Sequence, residues 1–252
     1  TTMRSPIPAK NASCPSPSAT QSTPTKPMTP SLLAAMQLTD SALPTGAFSH
    51  SLGFESYIEA GIIHDEASFA AWLHMFCTQQ LTFTDALAIR LVYAATDFAE
   101  VTRIDAVLTA QALPHEIRQA GVTMGQRLLT IAAESYNSPW LAAYQRAVAD
   151  HLVYAHPASV WAVVAKHMGV EADDAVAHHV YATVISLTQN AVRGVPLGQQ
   201  AGQRVIRQAQ DWVQHAVEAS KQLDESDLGA IAPGLEIAQM RHEQQRARLF
   251  MS

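Results

Sequence analysis

The chain has 252 residues, a formal net charge of −6 and 48% apolar residues, enough for one substantial core. Between positions 31 and 240, acidic residues outnumber basic ones by 21 to 10. This disfavours nucleic-acid binding, because phosphate recognition needs clustered Lys and Arg. The two cysteines form no disulfide framework, and no apolar run reaches the roughly 18 residues of a membrane span. We therefore expect a cytoplasmic protein that binds neither membranes nor nucleic acid.

The first 30 residues contain seven prolines among Ser, Thr and Lys. Such a segment cannot bury enough apolar surface to offset the entropy that it would lose on ordering. Residues 1–30 are therefore predicted to form a disordered tail.

From Leu32 onward, apolar residues recur at helical spacing. One stripe of this kind comprises Val176, Val180, Val184, Leu187 and Ala191. Ser138-Pro139 has the composition of a helix start, a capping residue followed by a first-turn proline. No alternating strand of useful length occurs. The sequence thus predicts an all-α protein with one bundle-like domain of about ten helices over residues 31–252.

Residues 43–55 read LPTGAFSHSLGFE and leave two alternatives. A small helical hydrolase using Ser49 or His50 is one, although Gly-x-Ser-x-Gly is absent and adjacent residues on a helix point about 100° apart. The other is a turn followed by a helix that Ser49 caps, with Glu55 on its polar face and a close contact at Gly53. On the second interpretation the segment is structural and recognition surface, with five candidate residues: Phe48, Ser49, His50, Gly53 and Glu55.

Gly194, Gly198 and Gly202 follow one another at intervals of four residues. Because polar neighbours exclude a membrane setting, this spacing predicts close helix packing, either within the chain or across a dimer. Arg193 suits the last turn of a helix, where a cation complements the helix dipole. Histidines and acids occur in pairs at ligand spacing, such as Asp174 and His178, but two ligands do not make a site. We predict no metal site and no cofactor.

Residues 235–252 read LEIAQMRHEQQRARLFMS. The stretch carries four basic residues, counting histidine, and then three apolar ones: Arg241, His242, Arg246 and Arg248, followed by Leu249, Phe250 and Met251. Burying one such apolar side chain is worth about 1.5–3 kcal/mol. Either the stretch closes the protein's own core, or it binds a partner through apolar anchors and arginines. Its position offers few ways to bury these residues within the chain, which favours partner binding.

Three stretches resemble the UreF urease accessory proteins: 43–61 (LPTGAFSHSLGFESYIEAG), 191–204 (AVRGVPLGQQAGQR) and 232–252 (APGLEIAQMRHEQQRARLFMS). The resemblance implies an all-α, homodimeric protein without an enzymatic site. It implies a bridge from the urease apoprotein, through the accessory protein UreD (also called UreH), to the nickel-carrying GTPase UreG. Nickel delivery to urease and regulation of GTP hydrolysis are the implied roles.

The resemblance also assigns residues. It makes 232–252 a partner-binding segment, in which the residues for UreD/UreH are Met240, Arg241, His242, Arg248, Leu249 and Phe250, and we add Arg246 from the same run. Arg193 becomes a candidate GTPase-facing residue, because an arginine supplied in trans can stabilise charge in phosphoryl transfer. The family's usual second glycine is Ala47 here, and its frequent tyrosine is His50.

Overall fold

The computed structural model describes residues 30–229 and 232–252, and over these residues it is all-α, as predicted. The eleven α-helices of the described residues are α1 (Pro30–Leu38), α2 (Phe54–Glu59), α3 (Glu66–Met75), α4 (Leu87–Ala94), α5 (Phe98–Gln111), α6 (His115–Ser135), α7 (Pro139–Ala149), α8 (Pro157–His167), α9 (Ala172–Gly194), α10 (Gln199–Ser220) and α11 (Pro233–His242). Short 3₁₀-helices cover Ala47–Ser49 and Glu225–Asp227. The predicted disordered tail lies outside the described residues, except for Pro30.

Helix starts follow local signals in the sequence. Ser138 caps α7 by accepting a hydrogen bond from the backbone N–H of Leu141 at 3.5 Å, and Pro139 occupies the first turn, as predicted. Helix α3 begins with a reciprocal capping box between Asp65 and Ser68. These caps satisfy backbone donors that the first turn of a helix leaves without a partner.

Helix α8 lies at the centre of the bundle, with α4, α6 and α9 packed around it. All residues from 158 to 165 are buried, so this helix faces apolar surroundings on every side. The stripe predicted on α9 is confirmed, since Val176, Val180, Val184, Leu187 and Ala191 are at most 1% exposed. No helix among the described residues is both long and apolar enough to cross a membrane.

Between α3 and α4 the chain winds more widely than an α-helix. A π-helix spans the 11 residues Phe76–Ala86. The hydroxyl of Thr82 donates to the carbonyl oxygen of Cys77, five residues earlier, at 2.9 Å. Long π-helices are rare, and π geometry is frequent at functional sites. Helical spacing in the sequence did not separate this segment from its α-helical neighbours.

The two later glycines of the 194–202 run behave differently. A Cβ on Gly202 would lie 3.0 Å from Cγ2 of Val192, which confirms close packing of α10 on α9 at that point. Close packing within the chain is not found at Gly198, which is exposed; apart from its chain neighbours, no described residue has an atom within 4 Å of where its Cβ would lie. It sits at the N-cap of α10, where the chain is turning away from α9. A dimer contact at Gly198 stays a prediction.

Candidate partner-docking site

The loop of residues 43–53 is shaped by left-handed backbone conformations. Gly46 (φ 94°) precedes the 3₁₀ turn, and Gly53 (φ 106°) is the N-cap of α2. A Cβ on Gly53 would lie 2.7 Å from Cγ of Gln239 in α11, so the predicted close contact is confirmed. Leu52 also has a positive φ of 51°, a strained state that persists where surrounding contacts fix it.

Two predictions for this loop are wrong. Ser49 does not cap a helix, because it ends the 3₁₀ turn and Gly53 takes the cap position of α2. Glu55 does not form exposed recognition surface, because other parts of the chain cover it and it is only 6% exposed. Among the recognition candidates, Phe48 is 61% exposed, whereas His50 and Glu55 are covered by other parts of the chain.

The covering element is the stretch 243–252, which follows α11 and is called here the C-terminal segment. The backbone carbonyl oxygen of Ser252 accepts hydrogen bonds from the N–H groups of Ser51 and Leu52, at 2.5 Å and 3.2 Å. The hydroxyl of Ser252 lies 2.8 Å from Nδ1 of His50. The C-terminal segment thus satisfies backbone donors that the strained loop presents.

A charge cluster, buried at Glu55 and His242, fastens α11 and the C-terminal segment. Nε2 of His242 lies 2.9 Å from Oε2 of Glu55, and its Nδ1 lies 2.7 Å from Oε2 of Glu116 in α6. His242 is 1% exposed. Both ring nitrogens of His242 therefore face carboxylate oxygens. Arg248 reaches the other oxygen of Glu116 at 2.5 Å, so two acids meet two basic groups.

Glu55 has a second function in the cluster, because it also receives the backbone of the C-terminal segment. The N–H of Leu249 donates to Oε1 at 2.5 Å, and the N–H of Phe250 donates to Oε2 at 3.1 Å. A single carboxylate therefore joins α2, α11 and the C-terminal segment. Charge-assisted bonds of this kind are stronger than neutral ones.

Phe250 is buried in its own chain, at 6% exposure. Its ring packs edge-on against Phe54 with centroids 5.2 Å apart, and the guanidinium carbon of Arg193 lies 5.5 Å from the ring centre. The expectation that this run has few ways to be buried within the chain therefore does not hold for Phe250. Its neighbours Leu249 and Met251 face outward, at 71% and 67% exposure.

Arg193 is engaged within the chain, at the C-terminal end of α9. Its Nη2 donates to the carbonyl oxygen of Phe48 and to Oδ1 of Asn190, the latter at 2.6 Å. The side-chain amide of Asn190 donates in turn to the carbonyl oxygen of His50 at 2.7 Å. Together these two side chains hold the 43–53 loop on α9, and the position of Arg193 in the last helical turn is as predicted.

Ser49 and His50 do not form a nucleophile–base pair. The imidazole of His50 is buried and faces the hydroxyl of Ser252. Burial lowers the pKa of His50, the charge of Arg127 lowers it further, and Glu116 opposes the shift. Among the described residues, no group of three or more His, Cys, Asp and Glu is arranged to hold a metal ion.

Sequence reasoning missed three residues of this site: Glu116, Asn190 and Gln239. Gln239, for example, donates from Nε2 to the carbonyl oxygen of Leu52 at 2.9 Å. Each is an ordinary polar residue on a helix, and its partner is distant in the sequence. The basic run that contains Arg248 did indicate that acids would be nearby, but it did not show that they belong to the same chain.

Comparisons with known proteins give a consistent result. The UreF family model matches residues 63–210. The urease accessory protein UreF of Kocuria rhizophila is 61% identical over 232 residues, which cover 90% of this chain and 99% of that protein. Proteins of the same description from Corynebacterium efficiens and Arthrobacter sp. are 58% and 56% identical over 220 residues, covering 87% of this chain and 96% of each relative. The UreF family model matches more than half of the chain, and the relatives match along nearly their whole length. The chain therefore belongs to the UreF family of urease accessory proteins.

Proposed function

We propose that this protein is a non-enzymatic scaffold for nickel insertion into urease. In this proposal it acts in the cytoplasm as a homodimer. It binds UreD/UreH through α11 and the C-terminal segment, and through that partner it reaches the urease apoprotein. It also engages the GTPase UreG and regulates its GTP hydrolysis. Membership of the UreF family supports the general role, and the geometry of the C-terminal segment supports the docking site.

The observation that carries the docking site is the alternation of side chains in the C-terminal segment. Phe250 points into the core, whereas Leu249 and Met251 point to solvent at 71% and 67% exposure. On α11, Ile237 and Met240 are also exposed, at 51% and 41%. Apolar side chains held outward by a fixed backbone are preorganised for a partner, which lowers the entropic cost of binding.

The predicted partner-binding residues separate into two groups on this geometry. His242, Phe250 and, through its ion pair, Arg248 hold the C-terminal segment in place. The candidates for direct contact are Met240, Arg241, Arg246 and Leu249. Arg241 and Arg246 are exposed and form no ion pair with another described residue, so both cations are available to acids of a partner.

Point substitutions of exposed residues test this docking site most directly. Deleting 239–252 would also remove the buried Gln239, His242 and Phe250. A loss of UreD/UreH capture could then result from destabilised folding and not from a lost contact with the partner. The double variant Leu249→Ser, Met251→Ser leaves the buried contacts in place. Losing two anchors of about 2 kcal/mol each should weaken capture of UreD/UreH by about 10²–10³.

The matched control is Leu152→Ser on the loop between α7 and α8. Leu152 is 70% exposed, almost the same as Leu249, but it lies far along the chain from the proposed site. Pull-down of UreD/UreH should be unaffected by this change. Equal capture by the double variant and by the control would remove the C-terminal segment as the docking element.

Arg193 remains a proposed GTPase-facing residue, and its observed contacts sharpen the test. Arg193→Ala should weaken recruitment of UreG if the residue acts by holding the loop of residues 43–53 in its conformation. It should instead slow GTP hydrolysis per assembled complex if the guanidinium enters the GTPase site. Measuring both quantities on the same complex separates these roles. If Arg193→Ala recruits UreG and supports GTP hydrolysis as the wild type does, a GTPase-facing role of Arg193 is excluded.

A further inference from the structure

The central helix α8 begins at an unusual capping residue, a histidine. Nδ1 of His156 accepts a hydrogen bond from the backbone N–H of Ala158 at 3.3 Å. Helix caps are usually Ser, Thr, Asp or Asn, whose side-chain oxygens accept at neutral and mildly acidic pH alike. An imidazole nitrogen accepts only while it carries no proton, because both ring nitrogens of an imidazolium are donors. The cap of α8 therefore exists only in the neutral form of His156.

The loop before this cap, residues 151–155, has a strained backbone. His151 and Ala155 have positive φ angles of 57° and 66°, which residues other than glycine rarely adopt. A Cβ on Gly125 of α6 would lie 1.7 Å from the carbonyl oxygen of Ala155, so the two backbones are in close contact. Strained conformations of this kind persist only where their surroundings fix them, and they are frequent in switch regions.

A buried carboxylate holds the backbone of the same loop. Asp105 of α5 is 0% exposed and accepts hydrogen bonds from the N–H groups of Tyr154, Ala155 and His156, at 2.8, 3.2 and 2.5 Å. The hydroxyl of Tyr144 in α7 donates a fourth bond at 2.6 Å. Two attachments therefore fix the junction of loop and helix: Asp105 binds the backbone, and the ring of His156 caps α8.

Titratable groups from three other elements act on the ring of His156. They are Asp85 of the π-helix, Asp105 of α5 and His179 of α9. Burial has the largest effect and disfavours the imidazolium, the two acids favour it, and the charge of His179 disfavours it. The pKa of His156 consequently lies below its ordinary value of 6.5.

The acid on the π-helix stays ionised where His156 titrates. Oδ1 of Asp85 lies 2.7 Å from Nε2 of His179. Burial would raise the pKa of Asp85, but the hydrogen bond and charge of His179, with the charge of His156, lower it to about 2. An imidazolium at position 156 is therefore attracted toward Asp85 and away from the Ala158 N–H that the neutral ring accepts.

The other two elements at this junction contribute no titrating charge in the same pH range. Burial and the charge of Asp105 raise the pKa of Tyr144 on α7, so its hydroxyl remains a neutral donor. On α6, the residues that face Pro157 are Gly121 and Gly125.

Protons can reach the ring through an internal cavity of about 250 Å³. His156, Asp85 and His179 line it, and its border includes the exposed Asp40. Further charged side chains on the cavity wall are those of Arg118 and Glu236.

We propose that His156 is an acid-sensitive switch at the start of α8. The neutral ring caps the helix and keeps the 151–155 loop in its strained conformation. A proton on Nδ1 removes the acceptor of the Ala158 N–H and puts a positive charge at a helix N-terminus, which the helix dipole disfavours. The loop and the first turn of α8 then open together, while the remainder of the helix stays packed. The switch is independent of the docking role proposed above, because none of its residues belongs to α11 or the C-terminal segment.

The direction of the pH effect follows from the lowered pKa of His156. As the pH falls, the unfolded chain takes up the proton before the folded one does. The cap is therefore fully formed above pH 6.5 and is lost as the pH falls through the folded-state pKa.

Amide hydrogen exchange on the full chain, resolved by NMR, measures the cap directly. The protection factor of the Ala158 amide should fall about fivefold between pH 7 and pH 5, the factor that corresponds to loss of a typical N-cap. The amide of Val164 in the middle of α8 should keep its protection. Equal losses at Ala158 and Val164 would indicate unfolding of the whole protein and would overturn the proposal, as would an Ala158 protection factor that does not change with pH.

Two variants separate the titration of the ring from its capping role. His156→Asn keeps a side-chain acceptor that does not titrate in this range, so its Ala158 amide should be equally protected at pH 7 and pH 5. His156→Ala has no acceptor and should show the low protection of the acid form at both pH values, with circular dichroism confirming that it folds. If His156→Asn keeps the pH dependence of the wild type, or if folded His156→Ala protects Ala158 as the wild type does at pH 7, His156 is not the switch. Should His156→Ala not fold, the comparison of wild type with His156→Asn still decides.

Discussion

Helix α8 and the C-terminal segment are both attached to the rest of the protein, but by different forces. From residue 158 to 165, α8 is buried by packing, and its side chains are apolar or small with Ser159 as the one hydroxyl. The C-terminal segment is held by Phe250 and by the charge cluster of Glu55, His242, Glu116 and Arg248. Apolar burial is non-directional, and its stabilising free energy is spread over many contacts. In the charge cluster, the stabilising free energy depends on every member being present.

This difference determines how each region responds to substitution. A core of the α8 kind tolerates apolar replacements of similar volume at a cost usually below about 1.5 kcal/mol. In the charge cluster, removing a partner of the buried His242 leaves that side chain with fewer polar contacts, and breaking a buried pair typically costs about 3–5 kcal/mol. The most informative substitutions are therefore those that remove one member of the cluster.

The largest effect is expected for Glu55→Ala. The variant leaves His242 without one carboxylate and leaves the backbone N–H groups of Leu249 and Phe250 without acceptors. We expect the free energy of unfolding to fall by about 3–5 kcal/mol, measured by urea denaturation. Glu59→Ala, at an exposed position of the same helix, should change it by less than about 0.5 kcal/mol. A Glu55 variant as stable as the Glu59 control would show that the cluster does not fasten the C-terminal segment.

The next largest effect is expected for Phe250→Ala, which tests the apolar part of the same attachment. Loss of the ring from its contact with Phe54 leaves a cavity, and such changes cost about 3 kcal/mol or more. The neighbouring Met251→Ala should cost little, because Met251 is 67% exposed. Thermal unfolding of both variants measures the difference. If both lower the melting temperature equally, the inward and outward alternation of the C-terminal segment is wrong.

A smaller effect is expected where α10 meets α9. Gly202→Leu forces a side chain against Val192 and Thr188, and overpacking of this kind costs about 1–3 kcal/mol. At Gly198 a Cβ would face open space among the described residues, so Gly198→Leu should leave the unfolding free energy nearly unchanged. Light scattering of Gly198→Leu then tests the dimer prediction separately. A folded variant that has become monomeric would place Gly198 in a subunit contact, and an unaltered dimer would remove it from one.

The sequence predicted the packed regions better than the charged site. Stripes on α9 and the cap at Ser138 are visible locally, because helical spacing and capping involve residues within a few positions of one another. Glu55 was predicted to lie on a polar face of its helix as recognition surface, and its burial was missed because its partners lie about 190 positions away and nothing local shows that α11 will cover it. The same distance hid the pairing of Arg248 with Glu116.

The smallest expected effect is a change in pH dependence at His50, where the loop meets the C-terminal segment. The folded-state pKa of His50 lies below the unfolded value of about 6.5, because burial and the charge of Arg127 disfavour the imidazolium while Glu116 only partly opposes them. As pH falls through 6.5, the unfolded chain takes up the proton first. Stability from the neutral ring is therefore complete above pH 6.5 and is lost as pH falls toward the folded-state pKa, with a slope of at most about 1.4 kcal/mol per pH unit.

The variant His50→Tyr tests this pH dependence. It introduces the residue frequent in the family, whose phenol does not titrate in this range. It should therefore reduce the slope of the unfolding free energy against pH between pH 7 and pH 5. The exposed His167→Gln is the matched control. A slope in His50→Tyr as steep as in wild type would mean that other histidines with lowered pKa values, His156 and His178, account for the pH dependence and that the bond between His50 and Ser252 does not.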